Sequence, residues 1–482
     1  MAEQRAFADQ LGEFAVDADW ASIPAPVRAS AADRVLDTLG ISLGAIPLPT
    51  SAAILDYVER QGGRPSAHAL GLHGALPTPL AALANGVLAH SLDYDDTHLP
   101  SVIHPSASVV PTALAVGEAV HATGPEVLAA ISVGLEIAVR IGMAGYDAEN
   151  RNSTYFEHGQ HATSICGALG SAATAAKLLG GDATRIRDAI AIAASMASGI
   201  IEANRGGGTV KRLHCGWAAQ SAVTAAELAL SGFSGPPTAL EGRFGLFEAF
   251  LHGRYEPGAV TEGLGSSWSV PDIFYKPYPA NHFTHTAVDA ASALRLDGID
   301  VEEIEELVLG VPGPVLRTVG EPIDAKRAPR TGYQAQFSGP YAVAVGLLGG
   351  GGLGAGLEDY SDALTADPRR RAIMSKVRVV EDAECSAIFP DQFPSVLTAR
   401  LRDGGVRTVK VLENRGGSRN PLSSAELHVK FIDTAGRQLD AQGVADALER
   451  ITDIPRVDDI AVPMTALATA AAAAREKREN NA

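Results

Sequence analysis

Apolar residues recur with a helical period through most of the first half of the chain. From Val27 to Leu39 they occupy every fourth position, with Pro26 before the segment and Gly40 after it, as in a capped amphipathic helix. Similar patterns predict further helices at 80–90, 125–141, 164–179, 186–196 and 216–230. We therefore expect an all-helical first half, in which many Gly and Ala residues let helix backbones approach closely.

The pattern changes after about residue 268, where short segments rich in branched residues predict β-strands. The turn Asp403-Gly404-Gly405 separates two of these segments and is typical of a hairpin. A helical pattern returns near residue 422 and continues to the Ala-rich end. We expect a mostly α protein with an all-helical domain formed by both chain ends, 1–269 and 416–482, and a smaller α+β domain, 270–415. The predicted strands are 304–311, 377–380, 396–401 and 406–412.

Composition and charge narrow the classes of function. The chain has 482 residues, 46% of them hydrophobic, which is typical of a globular protein. Its formal net charge, 39 − 56 = −17, argues against nucleic acid or an anionic membrane as a partner, because both require a basic surface. The sequence shows neither a signal-peptide pattern nor about 18 consecutive apolar residues, so we expect a cytoplasmic protein without a membrane span.

The cysteine content bears on cofactors. Cys166, Cys215 and Cys385 are far apart in the sequence and none belongs to a CxxC pair. A disulfide framework, a cysteine-held zinc site and an iron–sulfur cluster all require closer spacing. The sequence therefore indicates none of these.

Acidic and histidine residues are concentrated at the end of the helix predicted at 80–90. The string HSLDYDDTH, residues 90–98, is followed by LPSVIHPS. Asp95 and Asp96 could simply be hydrogen-bonded turn residues. A second interpretation is a metal site, because His90, Asp93 and His98 are of ligand types, although a short acidic run is not a specific metal motif.

Two further positions could carry chemistry. Lys211 and Arg212 follow the glycine-rich string NRGGGTV and precede a helix expected to begin near His214, so they could form an anion pocket. The alternative is a pair of ordinary surface cations, but positive charge at a helix N-terminus opposes the macrodipole, and a compensating anion would explain it. His161 opens an Ala/Gly-rich helix after EHGQ and could be a cap, a core residue or a catalytic base.

Several sequence blocks together resemble the MmgE/PrpD family, and they follow in order over roughly residues 25 to 460. The blocks are DYDDTH with IHPSASVVP, HGQHATSICGALGSAATAAKLLG, KRLHCGWAAQSAVTAAELALSGFSGP with LEGRFG, YKPYPANHFTHTAVDA and AQFSGPYAVAVGLL. The family contains 2-methylcitrate dehydratase, cis-aconitate decarboxylase and iminodisuccinate epimerase. The resemblance implies a helical domain, a smaller lid domain, an active site between them, a homodimer, and neither a metal nor an organic cofactor.

The resemblance also implies site residues. The decarboxylase branch implies pocket residues at Asp93, Thr97, His104, His161 and Lys211. The epimerase branch implies a lysine and tyrosine acid/base pair, for which the candidates here are Lys211 and Tyr146. We also expect Arg212, Asn281 and His282 to bind substrate.

Two positions depart from the family pattern. Asn281, with His282 beside it, stands where the decarboxylase has a histidine after Pro-Ala. Ala107 stands where the dehydratases typically have an acidic residue after His-Pro-Ser. The first departure weakens a prediction of decarboxylation and the second weakens one of dehydration.

The sequence thus predicts a cofactor-independent lyase that dehydrates or decarboxylates a small di- or tricarboxylate. Negative charge would build on the carbon next to a carboxylate, where cations and fixed donors stabilise it. Two alternatives remain: an epimerase of an amino- or imino-dicarboxylate, and a non-catalytic carboxylate-binding protein.

Overall fold

The computed structural model describes residues 5–203 and 208–481. The fold is mostly α, as predicted, and the chain divides into two compact units. The first comprises the described residues up to Ile273 together with those from Thr434 onward, and the second comprises Phe274–Asp433. The second unit therefore ends beyond residue 415, where the sequence pattern placed the boundary. Arg415 stays with it because its guanidinium contacts both Tyr278 and Glu426.

The first unit is built from helices and two very short hairpins. Two of its long helices begin at residues that are common at helix N-termini. Thr123 and Glu126 form a capping box at one helix start, and Asp182 accepts a hydrogen bond from the backbone N–H of Arg185 at another. The helices are α1 Phe7–Asp17, α2 Ala25–Ala45, α3 Pro49–Gln61, α4 Thr78–His90, α5 Ser106–Val120, α6 Gly124–Ala144, α7 Thr154–Glu157, α8 Ala162–Leu178, α9 Ala183–Met196, α10 Val210–Leu230, α11 Leu246–Leu251 and α12 Pro257–Thr261. The hairpins are β1 Ala67–His68 with β2 Ala75–Leu76, and β3 Tyr146–Asp147 with β4 Asn152–Ser153.

Glycines allow α4 and α10 to cross in close contact. A Cβ atom on Gly86 would lie 2.7 Å from the Cα of Gly216, and one on Gly216 would lie 2.4 Å from the carbonyl oxygen of Leu83. No larger residue fits at either position without moving a backbone. The crossing places the C-terminal end of α4 close to the N-terminal turn of α10, and both ends carry candidate site residues.

The second unit contains a four-stranded sheet in the order β6-β5-β7-β8. β5 pairs in parallel with β6 and antiparallel with β7, which pairs antiparallel with β8. All four strands were predicted. They are β5 Ile304–Val311, β6 Val377–Glu381, β7 Ser395–Leu401 and β8 Val406–Val411.

Besides the sheet, the second unit contains helices, several of which pack against the sheet and share its apolar core. They are α13 His285–Leu296, α14 Leu316–Val319, α15 Ile323–Arg327, α16 Gly332–Ala335, α17 Gly339–Leu348, α18 Asp362–Thr365, α19 Pro368–Lys376, α20 Ala383–Ile388 and α21 Ser424–Ala435, whose last two residues belong to the first unit. The chain ends in the first unit with α22 Ala441–Thr452 and α23 Ala461–Asn480. Single 3-10 turns lie at Val270–Asp272, His282–Thr284, Val301–Glu303, Gly313–Val315, Leu357–Tyr360 and Ile454–Arg456.

One helix among the described residues, α6, is long and apolar enough to cross a membrane by length and composition alone. The bent pair α2 and α3 would pass the same test if it formed one span. Of the apolar window in α6, 94% is buried inside the fold, and the helix carries the ion pair of Glu136 and Arg140. This burial is typical of the core helix of a globular unit.

Candidate active site

The connection between α4 and α5 is fixed by a buried aspartate. Asp96 accepts a hydrogen bond from Arg34 Nη1 at 2.5 Å, and both side chains are almost completely buried. Asp96 also accepts from the hydroxyl and the backbone N–H of Ser106, at the start of α5. The other end of the guanidinium donates to the carbonyl oxygen of Ile273 at 2.7 Å. Asp96 thus holds the connecting segment in place, which is the structural role that the turn interpretation gave it.

His104 and Thr97 meet within this connection. His104 Nδ1 lies 2.6 Å from the carbonyl oxygen of Asp96 and 3.2 Å from Thr97 Oγ1. Because a carbonyl oxygen only accepts hydrogen bonds, Nδ1 carries the proton of the neutral ring. Nε2 of His104 is then the nitrogen that can accept a proton.

Lys211 and Asp93 form an ion pair that links α10 to the same connection. Lys211 Nζ lies 3.2 Å from Asp93 Oδ1, and the two side chains are 22% and 17% exposed. Asp93 has a left-handed backbone, φ 53°, a conformation that Asp adopts more readily than most residues. The pair is therefore partly open to solvent, unlike the pair of Arg34 and Asp96.

The predicted helix start near His214 is wrong, because α10 begins at Val210. Lys and Arg are good helix formers, so Lys211 and Arg212 lie within the first turn instead of before the helix. Their charge opposes the helix dipole there, and Asp93 supplies a compensating anion for Lys211. Arg212 donates to Thr50 Oγ1 at 3.0 Å. The glycine-rich string before the helix falls partly outside the described residues, at 204–207.

Four histidines, His90, His104, His161 and His214, lie together and are called here the histidine cluster. The ring centroid of His90 lies 5.4 Å from that of His104 and 5.7 Å from that of His161. His161 Nδ1 lies 2.9 Å from His214 Nδ1, so one of these nitrogens donates and the other accepts. The cluster joins residues from α4, from the connection after it, from the start of α8 and from α10.

Burial and neighbouring positive charge lower the pKa of two rings of the cluster, those of His161 and His214. Burial lowers the pKa of His161 well below its usual value, with further lowering by the charges of His90 and Lys211. Burial, followed by His90 and Lys211, lowers the pKa of His214 to about 4. Both rings are therefore neutral near pH 7 and can each donate one hydrogen bond and accept another.

His161 was predicted to open a helix, and it occupies the N-cap position of α8. Its side chain makes no capping hydrogen bond, and its backbone N–H donates to the carbonyl oxygen of Gly199. The His161 side chain therefore does not cap the helix, contrary to one interpretation of the sequence. Its ring contacts His214 instead.

Tyr146, Asn281 and His282 are the remaining predicted residues. Tyr146 is half-buried in β3, where it pairs with Ser153. In the second unit, the side chain of Asn281 accepts from the backbone N–H of Phe283 at a 3-10 turn. His282 is buried in that unit, and its ring is tilted against that of His285, with ring centroids 4.5 Å apart.

Two members of the histidine cluster were not predicted as acid/base residues. His90 was considered only as a metal ligand, and its Nδ1 lies 2.6 Å from Asp95 Oδ2. His214 was treated only as a helix start, although it follows Lys211 by three residues, a spacing that puts both on one helix face. Within 5–203 and 208–481, no group of three or more His, Cys, Asp or Glu side chains is arranged to hold a metal ion.

The fold and site together define a mostly α protein in which histidine, lysine and carboxylate groups capable of acid/base chemistry lie together. Comparison with family models gives a narrower assignment. The MmgE/PrpD N-terminal domain model matches residues 9–257, and the MmgE/PrpD C-terminal domain model matches residues 278–453. The chain belongs to the MmgE/PrpD family.

Relatives of known activity resemble most of the chain. Human cis-aconitate decarboxylase is 31% identical over 412 residues, which cover 81% of this chain and 80% of the human protein. The cis-aconitate decarboxylase of Mus musculus is 29% identical, with 89% and 86% covered. The 2-methylcitrate dehydratase of Cupriavidus necator is 27% identical, with 78% and 79% covered. These relatives are lyases by name.

Proposed function

We propose that this protein is a lyase that cleaves a bond next to a carboxylate of a small tricarboxylic acid, without a metal or an organic cofactor. The observation that carries the proposal is the partly exposed Lys211–Asp93 pair beside the histidine cluster. Lys211 is close enough to His161 and His214 to lower the pKa of both. The activities of the named relatives support the same class of substrate.

The pair and the cluster suit a reaction that builds negative charge on carbon. A substrate carboxylate can compete with Asp93 for the ammonium group of Lys211, and Thr97 offers a hydroxyl to a second carboxylate oxygen. His161 and His104 then remove or relay a proton at the adjacent carbon. Such a positioned acid or base typically contributes about 10² to 10⁴ in rate.

Decarboxylation is the first candidate reaction. In a cis-aconitate-like acid, the bond to one carboxylate carbon breaks and carbon dioxide leaves. The electron pair passes through the double bond toward the neighbouring carboxylate, where Lys211 stabilises the charge. A proton from solvent, relayed by a histidine of the cluster, then quenches the carbanion. Two of the relatives described above are cis-aconitate decarboxylases, which favours this candidate.

Dehydration is the second candidate, and two observations favour it. Asn281 stands where the decarboxylase branch has a histidine, and one relative is a 2-methylcitrate dehydratase. Here a neutral histidine would remove the proton next to a carboxylate, and the hydroxyl would leave as water after it receives a proton. The same side chains serve both reactions, because both pass through charge on that carbon.

We also propose that the enzyme works as a homodimer in the cytoplasm, with the acid as its only ligand. The family resemblance supports the dimer. Light scattering of the purified chain would measure the mass. A mass near 50 kDa, that of one chain, would contradict the dimer.

A substrate screen by NMR in D₂O tests the function. cis-Aconitate, citrate, 2-methylcitrate and iminodisuccinate are each incubated with the enzyme. Loss of carbon dioxide or of water supports a lyase. Exchange of the α-hydrogen with an intact carbon skeleton would indicate an epimerase instead. Thermal stabilisation by an acid that is never converted would indicate a binding protein.

A further inference from the structure

His90 occupies a central but unassigned position in the histidine cluster. Its ring lies between those of His104 and His161, and only 1% of its side chain is exposed. Its Nδ1 lies 2.6 Å from a carboxylate oxygen of Asp95, which is 3% exposed. Among the described residues, Nε2 of His90 is buried and has no hydrogen-bond partner. A buried nitrogen in that state is costly unless something supplies its partner.

The proton positions follow from the acceptors around the rings. A carboxylate only accepts hydrogen bonds, so His90 carries a proton on Nδ1, and a His90 ring with a single proton has its lone pair on Nε2. His104 likewise carries its proton on Nδ1, which donates to the carbonyl oxygen of Asp96. Of the two rings beside His90, His161 is therefore the one that still has an N–H to offer.

We propose that Asp95 and His90 form a positioning dyad that sets which nitrogens of the histidine cluster carry protons. The lone pair on His90 Nε2 favours the tautomer of His161 that is protonated on Nε2. His161 Nδ1 then accepts from His214 Nδ1, which matches their 2.9 Å separation. In this tautomer His161 can relay a proton, releasing it from Nε2 to the reacting carbon while Nδ1 takes one up from His214. The kinetic part of this inference rests on the proposed lyase function.

A carboxylate behind a histidine acts in this way because it stabilises one tautomer and one ring orientation. Removing its charge leaves the side chains in place while the ring can take the other tautomer. The expected loss is therefore in kcat, since the substrate still meets Lys211 and Thr97. A purely structural role would instead lower stability without separating kcat from KM.

Imidazole tautomers are measured first, by long-range ¹H–¹⁵N correlation in the substrate-free protein labelled with ¹⁵N-histidine. His90→Asn identifies the His90 signals, because the asparagine amide keeps a donor for Asp95 and removes Nε2. We expect His90 protonated on Nδ1 in the wild type and His161 protonated on Nε2. In Asp95→Asn we expect the His161 tautomer to change or become mixed. Wild-type His90 protonated on Nε2, or an unchanged His161 tautomer in Asp95→Asn, would overturn the dyad.

Steady-state kinetics then test the effect of the dyad on turnover. Asp95→Asn and His90→Asn are each expected to lower kcat about 10²-fold while KM changes by less than about threefold. The double variant should be about as slow as either single one, because the two residues act as a unit. Wild-type kcat in folded Asp95→Asn, or additive losses in the double variant, would overturn the inference.

His98→Gln is the matched control. His98 is another buried histidine of the same connection, and its Nδ1 lies 2.7 Å from Ser101 Oγ. We expect a lower unfolding temperature but a kcat within about threefold of wild type. A kcat loss as large as that of His90→Asn would show that any buried histidine here matters, which would overturn a specific role. If the wild type converts none of the acids, the lyase proposal fails, and the tautomer measurement still decides whether the dyad exists.

Discussion

The ammonium group of Lys211 lies in the first turn of α10, where the helix dipole makes a positive charge unfavourable. The Asp93 carboxylate offsets this unfavourable interaction. A substrate carboxylate can take over the same task, so the site exchanges one anion for another on binding. The pair is partly exposed, and such an exchange does not require burying a new charge. Lys211 is for this reason the residue whose removal most directly affects carboxylate binding.

Lys211→Met is expected to lower kcat/KM at least about 10²-fold, because it removes the cation that stabilises charge next to the carboxylate. Steady-state kinetics on the acid identified by the NMR screen provide the measurement. Lys177→Met is the control, since that ammonium donates to the carbonyl oxygen of Ala15 and should affect stability only. Equal activity losses in the two variants would contradict the assignment.

Asp96→Asn is expected to lower the free energy of unfolding by about 3 kcal/mol or more, because it takes the carboxylate away from the buried Arg34. Denaturant unfolding of the variant and the wild type measures the difference. A loss below about 1 kcal/mol would mean that the pair contributes no more than a surface salt bridge.

At the scale of single residues, the sequence predicted which side chains could take part in acid/base chemistry. It did not predict which of these side chains contact each other. Lys211 and Asp93 were named separately, and 118 positions separate them in the chain. Their contact depends on the crossing of α4 and α10, which no local pattern shows. His214 and His90 were missed as acid/base residues because the cluster forms through contacts between distant parts of the chain, although the three-residue spacing of Lys211 and His214 was a signal for one of them.

Close helix packing brings these residues together. Gly86 and Gly216 let the backbones of α4 and α10 touch, and the site lies at the ends of those helices. Lys211 and His214 both lie less than two helical turns from Gly216 on α10, so a shift of this helix moves both side chains. The crossing thus controls the geometry of the site from outside it.

Gly216→Ala is expected to destabilise the protein by about 1–3 kcal/mol, because the new methyl group overlaps the carbonyl oxygen of Leu83. Activity should fall as well, through displacement of the start of α10. Gly74→Ala serves as the control, since a Cβ there meets nothing within 4 Å. Unfolding curves and kcat/KM are compared, and a wild-type value of both in Gly216→Ala would refute the tight crossing.

Several helices of the first unit were predictable, among them the buried α4, α6 and α8, but α5 was not. The pattern at 27–39 lies within α2, and all four predicted strands are present. α5 was not predicted, because it is buried on nearly every side and therefore shows no helical period, and Pro111 interrupts its interior. The polar string before α5, residues 90–98, was singled out as a possible site. The helix that follows it was not predicted.

At the scale of the whole molecule, neutral buried histidines make stability depend on pH. Burial lowers the pKa of His98 to about 4, whereas the unfolded value is near 6.5. As pH falls, the unfolded chain takes up the proton first. The stability from this group is complete above about pH 6.5 and is lost progressively toward about pH 4, by about 1.4 kcal/mol per unit.

We therefore expect the free energy of unfolding to fall more steeply between about pH 6.5 and pH 4.5 in the wild type than in His98→Gln. Glutamine cannot take up the proton in the unfolded chain, so the variant lacks this contribution. Urea unfolding at several pH values gives both slopes. Parallel slopes would show that His98 does not remain neutral in the folded protein.

Domain organisation was predictable only in outline. Composition shifts near residue 270 placed one boundary within a few residues of Phe274, but the return to helix near 422 was taken for a return to the first unit. α21 instead lies mostly in the second unit, because Glu426 at its start holds Arg415. An ion pair of this kind leaves no periodic signal in the sequence.

The most direct test of the metal-free lyase proposal is turnover of cis-aconitate and 2-methylcitrate by chelator-treated wild-type protein, followed by NMR beside Lys211→Met. We predict that the treated wild type converts one of the acids at the rate of the untreated protein, and that Lys211→Met is slower by at least about 10²-fold. No conversion of either acid, activity that returns only when a metal is added, or a Lys211→Met rate equal to that of the wild type would contradict the proposal.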